Sequence, residues 1–184
     1  MQLTKKLLSI FLLFGTICLA FTSCKKDDAQ KKKFYMVCKI DGVKTEFSAS
    51  TTGHMIWDGG YKEVSIAGTA DVTTNPLYMG LNISNMPSQD SIVEGVYADT
   101  SVRFSVDGSY GKLDLSMNYL AGTSIYQDQV YYNVTPGQHF VGTITSITDE
   151  GIRGSFSGDF YADGDVEQGN LIHVTEGEFY VRRF

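Results

Sequence analysis

The sequence predicts an all-β protein, an antiparallel β-sandwich of roughly ten to twelve short strands, with a β-barrel as the alternative closure. Three observations lead there. Apolar and polar residues alternate with period two: Leu77, Met79, Leu81 and Ile83 against Tyr78, Gly80, Asn82 and Ser84, then Ile152, Gly154, Phe156, Gly158 and Phe160 against Arg153, Ser155, Ser157, Asp159 and Tyr161. One apolar and one wet face per strand is the antiparallel pattern. Asp-Gly, which tolerates the positive φ angles of a tight hairpin, recurs at 41–42, 58–59, 107–108 and 163–164. Helical periodicity is scarce.

Taken in order, Phe34, Met36, Cys38 and Ile40 share one face of a strand over 34–40, and Ile40-Asp41-Gly42-Val43 turns it into a second over 43–49. Residues 50–62 read as a loop. Strands follow at 63–70, 77–84, 91–97 and 102–106, with Pro-containing connections at 75–76 and 86–90. Leu113, Leu115 and Met117 alternate with polar residues and predict a strand over 112–119; others cover 124–134 and 139–147. Thr148-Asp149-Glu150-Gly151 joins the last of these to 152–162. After a loop at 163–169 the chain ends in strands at 170–175 and 177–183. Variable strand length and the Pro-containing connections favour a sandwich over a simple meander. Residues 34–184 are one domain's worth of chain.

The N-terminus reads as a targeting device. Lys5 and Lys6 precede an apolar run from Leu7 to Phe21. A ~30 Å hydrocarbon core asks for ~20 helical residues, so this run is short for a membrane anchor and has the shape of a secretory signal. Phe21-Thr22-Ser23-Cys24 resembles a bacterial lipobox, with Phe21 where leucine is commonest. That resemblance implies a signal peptide over 1–23, cleavage before Cys24, and acyl chains such as palmitate on Cys24. Two or three such chains hold a protein in a membrane for practical purposes permanently. Residues 24–33, CKKDDAQKKK, cannot bury apolar area and form a charged, flexible tether. Lys26-Asp27-Asp28 resembles the lysine-plus-two-acids export signal of Bacteroidota surface lipoproteins. It implies an outer-membrane lipoprotein exposed at the cell surface, with a periplasm-facing one as the alternative.

The body carries a wider resemblance. The opening strand with Ile40-Asp41-Gly42 and Phe47, the Gly95-x-Tyr97 step, and GTITSIT, IRGSFSGDFYA and TEGEFYVRRF near the end together resemble an uncharacterised domain family of small Bacteroidota lipoproteins. Such proteins place one β domain behind a lipobox. The resemblance implies an exported β-sandwich and carries over no functional residues.

Charge separates tether from body. Without residues 1–23 the chain has 13 basic and 21 acidic residues, the tether has five lysines and two aspartates, and residues 34–184 keep 8 basic and 19 acidic, net −11. So acidic a domain lacks the Lys and Arg clusters that neutralise phosphates, and nucleic acid is not an expected partner. With Cys18 in the signal peptide and Cys24 acylated, Cys38 alone is left as a thiol, so no internal disulfide forms and the fold rests on its core. Cys38 reads as a small hydrophobe.

The chemistry-bearing motifs are few. His54, His139 and His173 are far apart and form no zinc spacing. Gly154-Ser155-Phe156-Ser157-Gly158 has Phe156 where a hydrolase elbow has its serine, and Ser109-Tyr110-Gly111-Lys112 matches S-x-x-K without a helix. Asp159, Asp163, Asp165, Glu167 and Asn170 offer oxygen ligands for Ca²⁺ but miss the EF-hand spacing, so a solvated acidic loop is expected, and no cofactor or metal is assigned. Trp57 and Tyr61, in the predicted loop, either pack onto the sheet or form a platform for a sugar ring. The resulting expectation is a lipid-anchored outer-membrane lipoprotein whose β body is a non-catalytic binding or accessory module for a glycan or protein ligand. A glycan or peptide hydrolase and a structural component of an envelope assembly are the alternatives.

Overall fold

The computed structural model describes residues 33–58, 61–71, 75–85, 90–101, 104–126, 129–133, 140–164 and 170–184, without the side chains of 57–58, 61, 123–126 and 129–133. The signal peptide and all of the tether but Lys33 lie outside the described residues. Twelve strands run in chain order: β1 (Tyr35–Ile40), β2 (Val43–Glu46), β3 (Ser50–Asp58), β4 (Tyr61–Thr69), β5 (Leu77–Ser84), β6 (Gly95–Ala98), β7 (Ser105–Lys112), β8 (Asn118–Tyr126), β9 (Gln129–Asn133), β10 (Val141–Ile147), β11 (Gly151–Ala162) and β12 (Leu171–Arg182).

All-β is what the structure has, and among the described residues every ladder between named strands is antiparallel, with two isolated parallel bridges, Ser48–Thr69 and Gly53–Arg183. Of the two closures expected, it adopts the curled one. A single sheet runs β2-β1-β12-β11-β8-β7-β5-β4-β3, with β10 and then β6 branching from β11, and β9 from β8. The curl brings the far edge back to β12: Gly53 of β3 bridges Arg183, and the Phe184 N–H donates to the Gly53 carbonyl at 2.9 Å. The result is a half-barrel filled with side chains.

The core follows the alternation. Met36 and Cys38, then Val64 and Ile66, then Met79, Leu81 and Ile83, then Ile152, Phe156 and Phe160, all face inward and are buried. Where two aromatic residues converge, the opposing strand offers a glycine. Phe140 and Phe160 meet edge to face, centroids 5.4 Å apart, over Gly108 of β7, where an added Cβ would come within 2.7 and 2.8 Å of the two rings. Phe179 covers Gly154 and Phe156 covers Gly177 in the same way.

Several elements depart from expectation, each for a local reason. Of the expected loop over 50–62, residues 50–58 and 61–62 are strand: they supply β3 and the start of β4, in register from Ser50 opposite Thr69 to Asp58 opposite Tyr61, while 59–60 lie outside the described residues. Asp107-Gly108 is no turn. It lies inside β7, because Asn82 Nδ2 donates to Asp107 Oδ1 at 3.1 Å across the β5–β7 pair and Gly108 must lie beneath the rings. Leu113–Met117, expected as a strand, is a turn: the Asp114 carboxylate accepts the Ser116 N–H at 2.9 Å, a local bond that competes with a ladder, and Leu113 and Leu115 are exposed. The two C-terminal strands are one. Between Phe156 and Gly158 of β11 the register shifts, so Thr175 and Glu176 together face Ser157, with Glu176 at φ 50°. This bulge moves the inward positions from Ile172 and Val174 to Gly177, Phe179 and Val181, which imitates a strand break. The Asp41-Gly42 hairpin stands as expected, with φ of 49° and 81°. Tyr161, expected on the wet face of its strand, is buried, as are Tyr97 and Tyr180.

Phe160→Ala should cost about 3–5 kcal/mol and Gly108→Ala about 1–3 kcal/mol by overpacking, read from urea melts. Because the methyl group added at position 108 would enter the space that Phe160 vacates, the double variant should lose less than the two single losses combined. Ser157→Ala, on the exposed face, should stay within about ±0.5 kcal/mol. Strict additivity would disprove the interlock.

Candidate functional site

The residues singled out from the sequence fall in separate places. Cys24, Lys26, Asp27 and Asp28 lie outside the described residues. Trp57 and Tyr61 sit at the tip of the β3–β4 hairpin, with Trp57 opposite Lys62 and Tyr61 opposite Asp58. They are therefore not a cross-strand pair, and the loop platform imagined for them is a hairpin end.

The acidic stretch lies at the β11–β12 turn. Asp165 and Glu167 are outside the described residues, and Asp163 stands in the left-handed conformation (φ 51°), its N–H donating to the Asn118 carbonyl at 2.9 Å. Asp159 is engaged by an imidazole: its Oδ1 lies 2.7 Å from His173 Nδ1 across the β11–β12 pair. Asp41, from the β1–β2 turn, accepts the His173 backbone N–H at 2.8 Å. Among the described residues no group of three His, Cys, Asp or Glu side chains could hold a metal ion. The Asp159 hydrogen bond and charge, with Asp41 behind them, raise the His173 pKa above its ordinary 6.5.

A groove that the sequence did not disclose opens on the outer face of β2, β1, β12 and β11. It has a volume of about 420 Å³, walls from Val37, Lys39, Lys44, Ser155, Glu176 and Glu178, and Cys38 and Gly177 in its floor. The register explains the grouping. Lys39 stands directly opposite Lys44, while Glu178 stands between Val37 on one side and Ser155 on the other. Like charges directly opposite one another destabilise a sheet. The bulge offsets this, because the extra residue, Glu176, comes within reach of Lys39, Nζ to Oε1 2.6 Å. Lys44 and Glu178 form no ion pair among the described residues and are left facing solvent on either side of β1.

What this groove can do follows from its groups. Cys38 beneath it is no nucleophile: the side chain is buried on the core face, and burial pushes its thiol up to about 12. Glu176 and Glu178 do not form a glycosidase pair, since a general acid needs a site that keeps water from its carboxyl, and both residues are exposed. The arrangement suits recognition of a polar ligand by an ammonium and a carboxylate. Comparisons with protein-family models, curated proteins and solved structures find nothing that matches this chain.

The imidazole offers a direct check. His173 should titrate above about 6.5 in an NMR pH series, and Asp159→Asn should bring its midpoint back down. The sign follows from linkage: a raised folded-state value means the pair stabilises the fold below the unfolded-state pKa, and this is lost as pH rises through the folded one. The exposure of His173, with Asp159 only half-buried, keeps that contribution small. An unshifted midpoint in the unmutated protein would remove the pair.

Proposed function

We propose that this chain is a lipid-anchored outer-membrane lipoprotein whose β body is a non-catalytic binding or accessory module displayed at the cell surface. The observation that carries the anchor is Cys24, placed between a short apolar run with a small-residue step and a fully charged tether. Lys26-Asp27-Asp28 supports the surface destination. The module reading is supported by a barrel interior filled with aromatic and aliphatic side chains and by a charged groove on the outer wall. A polar outer wall around an apolar interior inverts the pattern of a transmembrane barrel. Among the described residues no helix is long and apolar enough to cross a membrane. The partners that fit are the membrane, through lipid on Cys24, and a glycan or peptide in the groove.

Cys24→Ala should abolish labelling by radioactive palmitate; undiminished labelling ends the lipoprotein reading. In the same cells, replacing Lys26, Asp27 and Asp28 by alanine should keep the lipid but hide the protein from added protease. Protection of the unmutated protein, beside a surface control that is cut, moves it to the periplasmic face. For the groove, calorimetry against panels of charged glycans and peptides should find a ligand whose binding is lost in the Lys44→Ala/Glu178→Ala double variant. The urea melt of that variant should stay within about ±0.5 kcal/mol. Ligand binding that survives the double change would place recognition elsewhere on the body.

A further inference from the structure

Strands β1, β12 and β11 lie side by side, and their charges are sorted along the strand axis. At one end are Lys33, Arg153, Arg182 and Arg183; at the other are Asp41, Asp159 and Asp163. With ~3.3 Å of rise per residue, the six residues from Arg153 to Asp159 and the ten from Arg153 to Asp163 separate these ends by roughly 20–33 Å. Three of the eight basic residues of a body with net charge −11 thus stand together. They stand where the tether enters, since Lys33 and Phe34 open the described body. Two acids share this end and are already engaged: Glu150 with Lys33, and Asp149 with Arg183 Nη1 at 3.6 Å. Arg153 and Arg182 form no ion pair among the described residues. Their guanidinium groups lie instead over aromatic rings, Arg153 3.9 Å from the Tyr180 centroid and Arg182 5.2 Å from that of Phe34. Phe184, two residues beyond Arg182, is 65% exposed and stacks on His54 of β3 with ring centroids 5.7 Å apart.

We propose that this tether end of the barrel docks on an anionic lipid surface, with Arg153, Arg182 and Arg183 meeting headgroup phosphates and Phe184 the interface beneath them. The docking rests on the lipid anchor proposed above and adds an orientation to it. Cationic side chains set on aromatic rings are the chemistry of headgroup level. The tether makes a modest patch sufficient. A ten-residue chain with random-coil dimensions would have a root-mean-square span of about 17 Å, which would keep the end of the body near the membrane at a high effective concentration. Attraction within about one Debye length, ~8–10 Å, then acts on the basic end alone, and the acidic end is repelled outward. A lipid surface is favoured over a nucleic acid because a flat surface meets this end only, whereas a long polyanion would also meet the acidic wall.

Acylated protein purified from membranes is bound to vesicles of zwitterionic lipid, or of zwitterionic lipid mixed with anionic lipid, and followed by hydrogen–deuterium exchange. Several-fold slower exchange at 148–153 and 180–184 is expected on the anionic vesicles only, with 159–164 and 170–173 unchanged and the difference removed by raised salt. The triple variant Arg153→Gln/Arg182→Gln/Arg183→Gln should stay on the vesicles through its lipid and lose this protection. Arg→Lys at the same three positions should keep it, which separates lost charge from lost packing. Equal exchange on both vesicle types, with the acylated chain on each, overturns the docking and leaves the anchor intact. A chain that carries no acyl group removes the anchor and the docking together.

Discussion

Everything in this body depends on a steric fit between phenylalanine rings and bare backbone. A tightly curled sheet brings the inner faces of strands on either side of a bend close together, and here β11 and the entry of β10 supply Phe160 and Phe140 while β7, on the other side of β8, supplies Gly108. Gly154 beneath Phe179 and Gly177 beneath Phe156 repeat the arrangement between neighbouring strands. Each ring occupies the volume a side chain would otherwise take, so large aromatic area is buried in a small radius. With no disulfide available to Cys38, this packing and the sheet ladders hold the domain together.

The same packing explains the bulge, and the bulge explains the groove. Phe156 must face inward on β11 and Phe179 inward on β12, yet Val174 must also face inward farther along. Alternation without an extra residue cannot satisfy all three, because Val174 and Phe179 are an odd number of residues apart. The extra position at Thr175-Glu176 resolves the mismatch, at the cost of a left-handed glutamate. That glutamate then reaches Lys39 and allows two lysines to stand opposite each other on β1 and β2. A constraint of the core is thereby expressed on the surface as a charged groove.

Much of the fold was legible because alternation is a local signal. The inward faces of β1, β5 and β11 and the Asp41-Gly42 hairpin are all in the sequence pattern. What was not legible depends on distant partners. Asp107-Gly108 looks like a turn until Asn82 is placed beside it, and Leu113–Met117 looks like a strand until the Asp114 bond to Ser116 is seen to cap it. β3 was missed because its Ser, Thr and Gly residues resemble a loop, and only its pairing with β4 makes it a strand. The groove was hidden for a similar reason. Lys39 and Lys44 come from the start of the domain, Glu176 and Glu178 from its end, and no spacing in the chain relates them. His173 looked isolated, and Asp159 looked like part of a solvated acidic loop, until the β11–β12 register set them side by side.

Topology also gives the tether a meaning that its own composition does not. Because β12 is flanked by β1 and β11 and antiparallel to both, the entry of β1, the start of β11 and the exit of β12 must lie at one end of the barrel. Basic residues near any of these three points are gathered by the fold, even though Lys33, Arg153 and Arg182 are far apart in sequence. The turns at the opposite end are Asp41-Gly42 and Asp163-Gly164, and their aspartates occupy positions of positive φ that few other side chains tolerate. Part of the acidity of the far end is therefore a by-product of hairpin geometry. An antiparallel domain entered from one end, with Asp-Gly turns at the other, acquires an axial charge polarity from its turns, and the arginines on β11 and β12 complete it.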